Sequence, residues 1–204
     1  MIGASAPAAV LAIDGGNSKT DVALIGPDGS VLASARGPGT SVDARRFDTS
    51  KVVLDDLVTA VARQAGIDPT GEIAAHTSAF IAGVDLPEEE QRLADELAQR
   101  WSPSTRVGND TFAVLRAGTQ RPWGVAVTCG AGINCVGVGP DGTQTRFLAL
   151  GRFTGDWGGG LDMGVEVMWW AMRAEDGRGE PTALTTAVAE YFGRANASEV
   201  AIGI

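Results

Sequence analysis

An acidic residue, two adjacent glycines, a hydroxyl and a lysine lie together in residues 14–20 (DGGNSKT). A glycine-rich turn lets backbone N–H groups approach an anion closely, and Lys19 and the hydroxyls of Ser18 and Thr20 can add to such a cradle. The segment therefore predicts a loop that holds the phosphates of a nucleotide. Its spacing matches neither G-x-x-x-x-G-K-[ST] nor a G-x-G-x-x-G turn that opens a helix. An ordinary hairpin turn, whose glycines serve only backbone conformation, is the alternative.

Short apolar strands surround this loop, and a GPDG turn follows at residues 26–29. The predicted strands are residues 10–13, 20–25 and 31–35. The same order recurs around a glycine turn at 130–132 (GAG) and a second GPDG turn at 139–142. The predicted strands of this copy are residues 125–129, 133–138 and 143–150. The repeated order indicates a duplication, and we expect two βββαβα lobes whose glycine loops face each other across a nucleotide cleft.

Helical and strand-like segments alternate between the two copies. Apolar spacing predicts helices over residues 43–66, 87–101 and 112–117, and strands over 73–82 and 104–107. Two further helices are predicted at 161–175 and 182–192. A meander followed by crossovers is typical of an α/β fold with a mixed sheet. We expect a first lobe over residues 1–120 and the beginning of a second over 121–204.

Asn109 and Asp110 lie where a predicted strand meets a short predicted helix. Phosphoryl transfer needs a carboxylate beside the attacking hydroxyl, and α/β folds place catalytic groups at the carboxyl ends of strands. Asp110 is therefore a candidate general base. An N-cap of the following helix is the alternative, since Asp and Asn are both favoured there.

The overall charge limits the classes of partner. The 204 residues carry a formal net charge of −9, which argues against a nucleic-acid or acidic-membrane surface. The first nine residues lack the basic region of a signal peptide, and no apolar run is long enough to span a bilayer. We therefore expect a soluble, cytoplasmic protein.

Cysteine and histidine are scarce. Cys129 and Cys135 are too few for a disulfide framework, and we expect both to be buried, reduced thiols in strands. His76 lies in an apolar run and is predicted to be structural. A single histidine also disfavours a histidine-based zinc site or a Ser-His-Asp triad.

Four short motifs, in this order, resemble the BadF/BadG/BcrA/BcrD ATPase family, which includes the N-acetylglucosamine kinases. They are residues 14–20 (DGGNSKT), 109–110 (ND), 130–134 (GAGIN) and 155–158 (GDWG). The resemblance extends over residues 9–191. It implies an actin-like ATPase fold with ribonuclease-H-like lobes, and ATP-dependent phosphorylation of N-acetylglucosamine or glucosamine.

The resemblance also implies roles for individual residues. Asp14 would hold Mg²⁺, directly or through water, and Asp110 would be the catalytic base. The phosphates of ATP would be surrounded by Gly15, Gly16, Ser18, Lys19, Thr20, Gly130, Ala131 and Gly132. The sugar would contact Ser41, Asn134, Asp156 and Trp157, with Asp110 beside its reacting hydroxyl.

Two departures from the family pattern bear on the sugar. Many of these kinases have a threonine where Ala131 stands, and after the WG pair they usually have GDEG. Here residues 159–164 read GGLDMG, so that Asp162 is displaced by one position. Family members usually also continue well beyond this length, and we therefore expect the second lobe to be incomplete.

Two other functions stay open at this point. An ATPase activator of a 2-hydroxyacyl-CoA dehydratase or benzoyl-CoA reductase would hold an iron–sulfur cluster at a homodimer interface, with Cys129 and Cys135 as its candidate ligands. A sugar-sensing repressor would carry an added DNA-binding domain. The acidic charge and the short segment before the first strand disfavour the repressor.

Overall fold

The computed structural model describes residues 8–40, 47–98, 100–155 and 157–204. Over these ranges the chain alternates strands and α-helices, as an α/β fold requires. The strands are β1 (Ala8–Gly15), β2 (Lys19–Ile25), β3 (Val31–Pro38), β4 (Ala74–Ile81), β5 (Thr105–Gly108), β6 (Gly124–Cys129), β7 (Ile133–Val138) and β8 (Gln144–Arg146). The α-helices are α1 (Phe47–Gln64), α2 (Pro87–Leu97), α3 (Asp110–Gly118), α4 (Gly159–Glu175), α5 (Leu184–Tyr191) and α6 (Ala197–Gly203).

The larger sheet has five strands in the order β3-β2-β1-β4-β5. β1, β2 and β3 pair antiparallel, whereas β4 pairs parallel with both β1 and β5. This is the predicted mixture of a meander and crossovers. Alternate residues such as Leu11, Ile13, Val22 and Leu24 are buried, which is the period expected of strands with one face on a core.

The first two helices complete that core. Leu54, Val58 and Val61 of α1 are buried in it, as their helical spacing predicts. The chain leaves α1 through Gly66, whose φ of 71° favours glycine. α2 ends at Leu97, earlier than predicted, and Trp101 packs in the core from outside the helix.

α3 packs against the strands of the smaller sheet, whose order is β6-β7-β8. Its Leu115 is buried with Ala126 of β6 and Val136 of β7. β8 is shorter than the predicted 143–150, because the chain soon turns away from extended geometry. Ala149 has a φ of 54°, and a 3₁₀ helix follows at Gly151–Thr154.

The two GPDG turns have the same hydrogen bonds. Gly26 N–H donates to Ser30 O at 2.8 Å, and Gly139 N–H donates to Thr143 O at 2.7 Å. In each turn the aspartate accepts from the residue two positions later, at 3.0 Å. The final glycines have φ values of 82° and 83°. The repeated sequence therefore folds into a repeated local structure.

The chain divides into two compact units. One comprises the described residues up to Val127 together with Cys135–Leu150, and the other comprises Thr128–Asn134 and Gly151–Ile204. In the second unit α4, α5 and α6 pack around Ala171, Val188, Ala197 and Val200.

α6 was not predicted from the sequence, although its start carries a capping signal. Asn196 accepts from Glu199 N–H at 2.9 Å, and Glu199 accepts from Ala195 N–H at 3.2 Å. A residue such as Asn followed three positions later by Glu is a recognised mark of a helix N-terminus. The segment is short and comes at the end of the sequence, where the apolar periodicity is too brief to stand out.

Candidate active site

Three carboxylates follow or end the three parallel strands of the larger sheet. Asp14, near the end of β1, lies opposite Phe80 of β4, which lies opposite Gly108 of β5. Asp85 and Asp110 follow β4 and β5 after short connections. Because the strands run parallel, these side chains belong to the same edge of the sheet, which is where α/β folds bind ligands. The sequence analysis named Asp14 and Asp110 but missed Asp85.

Asp14 and Asp110 are close enough to repel each other. The pKa of the Asp110 carboxyl is raised, first by burial and then by the charge of Asp14. The pKa of Asp14 is also raised, by the protein around its carboxyl and by Asp21, while Lys19 opposes the shift. Asp14 nevertheless keeps contact with solvent. A carboxylate with a raised pKa is a stronger base, so this pair suits proton abstraction.

An open groove of about 550 Å³ adjoins Asp14 on the sheet. Asp21 of β2 and Arg36 of β3 line it together with Phe80. Arg36 binds Asp21 through two hydrogen bonds, at 2.6 and 3.0 Å, and lowers the pKa of that carboxyl. Asp21 is therefore held ionised opposite Asp14. The negative charge of Asp21 and the open groove both lie beside Asp14, the predicted Mg²⁺ ligand.

Asn109, and not Asp110, caps α3. The Asn109 side chain accepts from Thr111 N–H at 3.0 Å, and Asp110 is the first residue of the helix. The alternative role of Asp110 as an N-cap is therefore wrong. Asn109 therefore serves as the cap, and the Asp110 carboxylate remains for chemistry. It accepts a long hydrogen bond from the Thr111 hydroxyl, at 3.5 Å, and hydrogen bonds from backbone N–H groups of Thr111 and Asp110 also lower its pKa.

The predicted phosphate loop is a tight connection between β1 and β2. The N–H of Gly16 donates to Lys19 O at 2.9 Å, and Thr40 N–H donates to Gly16 O at 3.0 Å. Asn17, Ser18 and Lys19 are exposed at its tip. Strands β1 and β2 extend further than predicted, so that Asp14, Gly15 and Lys19 belong to strands.

Two glycines of this region are required by close packing. A Cβ on Gly15 would lie 2.6 Å from Thr40 Oγ1 and 3.0 Å from Ile81. A Cβ on Gly39 would lie 2.2 Å from Asn17 O, inside the backbone of the loop. Gly39 supports residues 16–17 through this close packing, which its sequence position alone does not reveal.

Thr20 differs from its predicted place around the phosphates. The residue is fully buried, and its hydroxyl is 2.8 Å from the equally buried hydroxyl of Thr40. The alternation of β2 turns position 20 inward. The structure thus gives the Thr20 hydroxyl a partner within the protein, one that ties the loop to the segment after β3.

We expect Thr20→Val to destabilise the fold, because it leaves the buried Thr40 hydroxyl without this partner. The expected cost is about 1–3 kcal/mol in the free energy of unfolding, measured by urea denaturation. The double variant Thr20→Val, Thr40→Val should recover much of this loss, since both polar groups are then removed. Equal stability of wild type and the single variant would contradict the role of this pair.

The second glycine turn packs against the start of α4, within the second unit. Gly160 N–H donates to Gly130 O at 2.7 Å, and Leu161 N–H donates to Ala131 O at 2.9 Å. Gly159 has a φ of 76°, and a Cβ there would lie 2.8 Å from Ala131 O. The predicted turn 130–132 is therefore held against the segment that follows Trp157.

The predicted sugar contacts are only partly described. Asn134 is half-buried in β7, and Trp157 is 65% exposed. Ser41 and Asp156 lie outside the described residues. Asp162, which the sequence comparison displaced by one position, accepts from Gly158 N–H at 2.8 Å and so orders the turn that precedes α4.

The cysteines differ from their predicted environment. Cys129 is exposed and Cys135 is half-buried, and neither forms a disulfide. Exposed positions alternate along β6, and Cys129 lies on the same exposed face as Val125 and Val127. His76 lies in β4 with its Nδ1 2.9 Å from Ser104 Oγ, which fits its predicted structural role.

Two features are absent from the described ranges. Within them, no three or more His, Cys, Asp or Glu side chains are grouped so that they could hold a metal ion. No helix in the same ranges has the length and apolar character needed to cross a membrane.

The sequence model of the BadF/BadG/BcrA/BcrD ATPase family matches residues 11–201. The chain belongs to this family. The match covers both glycine turns and the Asn109–Asp110 pair. The predicted resemblance is confirmed.

Individual relatives in this family agree with that assignment. The chain is 28% identical over 188 residues to an N-acetylmuramic acid/N-acetylglucosamine kinase of Clostridium acetobutylicum, covering 90% of this chain and 60% of that protein. It is 25% identical over 188 residues to an N-acetyl-D-glucosamine kinase of Dictyostelium discoideum, covering 88% of this chain and 59% of that protein. The chain thus spans about three-fifths of the length of these relatives.

The fold is shared with a solved structure. A protein assigned provisionally as an N-acetylglucosamine kinase from Chromobacterium violaceum matches with a TM-score of 0.74 and 23% identity. The alignment covers 89% of this chain and 63% of that one. This chain therefore shares the α/β architecture of that protein.

Proposed function

We propose that this chain belongs to an ATP-dependent kinase that phosphorylates an amino sugar, N-acetylglucosamine or glucosamine. The observation that carries the proposal is the approach of Asp110, at the first turn of α3, to Asp14 at one edge of the sheet. The kinases named above are relatives of this chain, and their names support the class of substrate.

In this proposal Asp110 accepts the proton of the sugar hydroxyl that attacks the γ-phosphate of ATP. Burial and the neighbouring Asp14 raise the pKa of Asp110, which makes its carboxylate a better proton acceptor. Asn109 caps α3, so Asp110 is not needed as the cap and its carboxylate can serve as the base. The remaining catalysis is positioning and charge stabilisation, which phosphoryl transfer mainly needs.

Asp14 is the proposed ligand of Mg²⁺, directly or through water. Its solvent-accessible carboxylate, with Asp21 opposite on β2, offers the hard oxygen donors that Mg²⁺ prefers. Mg²⁺, when bound, would neutralise charge on the phosphates. Asp14 in turn places a negative charge near Asp110.

The two glycine turns are proposed to contact the phosphates of ATP. In the first, the exposed tip carries Ser18 and Lys19, whose hydroxyl and ammonium can donate to phosphate oxygens, while Gly15 and Gly16 keep the turn tight. In the second, Gly130, Ala131 and Gly132 are exposed and present backbone without bulky side chains. Thr20 has a supporting role here, through its bond with Thr40.

Four residues are the proposed contacts of the sugar. Asn134 and Asp156 offer amide and carboxylate partners for sugar hydroxyls, and Trp157 offers an aromatic face. Ser41 is the proposed contact from the segment after β3.

We also propose that residues 1–120 form one ribonuclease-H-like lobe and that residues 121–204 are the beginning of a second lobe, related to the first by duplication. The matching hydrogen bonds of the two GPDG turns support this, because each turn follows a glycine loop and one strand. Such lobes would close on ATP and exclude water from the reaction.

A direct assay tests the function. Full-length protein with Mg-ATP would be incubated with a panel of hexosamines that includes N-acetylglucosamine, glucosamine and N-acetylmannosamine, and ADP release would be measured. We expect sugar-dependent ADP release that is greatest with N-acetylglucosamine or glucosamine. The absence of sugar-stimulated release with every member of the panel would overturn the kinase proposal.

A further inference from the structure

We propose that Asp85 and Arg146 are positioning residues that hold the catalytic base Asp110 in place through the side chain of Asn109. This inference rests on the proposed kinase function, since it concerns the base of that reaction. Asp85 and Arg146 belong to neither the phosphate loops nor the predicted sugar pocket. They come from the connection after β4 and from β8, and they meet beside the start of α3.

A chain of hydrogen bonds joins these three segments. Asp85 Oδ1 accepts from Asn109 Nδ2 at 2.9 Å and from Arg146 Nη2 at 3.2 Å. Arg146 Nη1 also donates to Val84 O at 3.0 Å, so the guanidinium binds both the Asp85 side chain and the backbone of this connection. At the other end, Asn109 Oδ1 accepts from Thr111 N–H.

Asn109 uses both ends of its amide for different purposes. Its oxygen caps the helix, while its NH₂ group binds a carboxylate. The reverse orientation would place the NH₂ group against the Thr111 N–H and the oxygen against Asp85, so only one orientation satisfies both neighbours. Serine or aspartate would cap a helix equally well. An ionised aspartate has no proton to donate to Asp85, and a serine side chain is too short to cap α3 and reach Asp85 at once. The amide therefore does more than capping requires.

The charges explain why an arginine accompanies Asp85. The Asp85 side chain is only 14% exposed, and this burial, together with the charges of Glu89 and Asp110, raises the pKa of its carboxyl. Arg146, itself 21% exposed, supplies the opposite charge and a hydrogen bond that favour ionisation. With Arg146 present, Asp85 can remain a strong acceptor for Asn109 close to a second carboxylate.

The consequence is a fixed location for Asp110. Glu89 also accepts from the N–H groups of Asp85 and Leu86, both at 2.8 Å, which anchors the connection to the start of α2. Asp110 follows Asn109 directly, so movement of the Asn109 side chain would move the base. A displacement of about 1 Å at a reacting group can reduce a rate by about 100-fold.

The test distinguishes the hydrogen bond from Asn109 to Asp85 from the capping of α3 by Asn109. Asn109→Ser keeps a capping oxygen but cannot reach Asp85, and Asp85→Ala removes the acceptor. We expect both to lower kcat by about tenfold or more, with KM for Mg-ATP within about twofold of wild type, because the phosphate loop is unaffected. Asp85→Asn keeps an acceptor oxygen for Asn109, so kcat should lie closer to wild type than in Asp85→Ala.

Asp55→Ala is the matched control, because it removes an aspartate paired with Arg100 elsewhere in the same unit. We expect an unchanged kcat for it. Wild-type kcat in Asn109→Ser would overturn the inference, as would an equal loss of kcat in Asp55→Ala. Inactivity of the wild type on all hexosamines would instead count against the proposed function. The two failures are distinct, since one is read from the wild type and the other from the ratio of variant to wild type.

Discussion

Asp110→Asn is expected to lower kcat for sugar phosphorylation by about 1,000-fold, within the range of about 10²–10⁴ for loss of a general base. The amide has nearly the shape of the carboxylate but cannot accept the proton of the sugar hydroxyl. The affinity for the sugar should stay within a few fold of wild type, since hydrogen bonding to the amide remains available. Single-turnover kinetics and calorimetric titration with the sugar would measure the two effects.

The same variant is expected to be folded and at least as stable as wild type at pH 7. The folded protein raises the pKa of Asp110 above its usual value near 3.8. Ionising this carboxyl therefore destabilises the folded state. The destabilisation develops as the pH rises from the unfolded pKa through the higher folded pKa. Asparagine avoids that cost at neutral pH, and the difference in Tm should disappear below the unfolded pKa.

Asp95→Asn on α2 is the control for this substitution, because Asp95 is exposed and lies on another helix. It should leave both kcat and Tm unchanged. A marked fall in Tm of Asp110→Asn at pH 7 would indicate that Asp110 is mainly a structural residue. Wild-type kcat in Asp110→Asn would exclude the carboxylate as the base.

Gly39→Ala is expected to raise KM for Mg-ATP by tenfold or more and to reduce stability by about 1–3 kcal/mol. The added methyl group would lie 2.2 Å from Asn17 O and 2.8 Å from Gly16 O. These are backbone atoms of the proposed phosphate loop, so the collision cannot be relieved by moving a flexible side chain. The loop itself must shift, and with it Ser18 and Lys19.

Gly71→Ala provides the matched control, because no atom lies within 4 Å of the position that its Cβ would take. We expect its KM for Mg-ATP to match wild type. Its free energy of unfolding, measured by urea denaturation, should lie within about 0.5 kcal/mol of wild type. If Gly39→Ala bound Mg-ATP like wild type, residues 16–19 would not be part of the nucleotide site. Loss of stability alone, with KM unchanged, would lead to the same conclusion.

Much of the fold could be predicted because its signals are local. Short apolar runs bounded by glycine turns identified β1, β2, β6 and β7, and the spacing of Leu54, Val58 and Val61 identified α1. The turns were recognisable because glycine, proline and aspartate have specific roles in them. The boundaries were less accurate, as at α2 and β8, since the ends of elements depend on what packs against them.

The candidate site shows where local signals are insufficient. Asp14 and Asp110 could be named because each lies beside a predicted strand end. Their mutual repulsion, however, follows from the parallel pairing of β1, β4 and β5. Thr20 belongs to the same motif as Lys19, yet the pleat of β2 buries one and exposes the other.

The sequence by itself determined the α/β class, the two glycine turns, the two GPDG turns and the candidate carboxylates, because each depends on residue types a few positions apart. Only the tertiary structure decided which residues support them. Asp85 and Arg146 are 61 positions apart, and Gly39 meets Asn17 across a turn of the meander. Such contacts depend on strand register and on close packing, which no short stretch of sequence specifies.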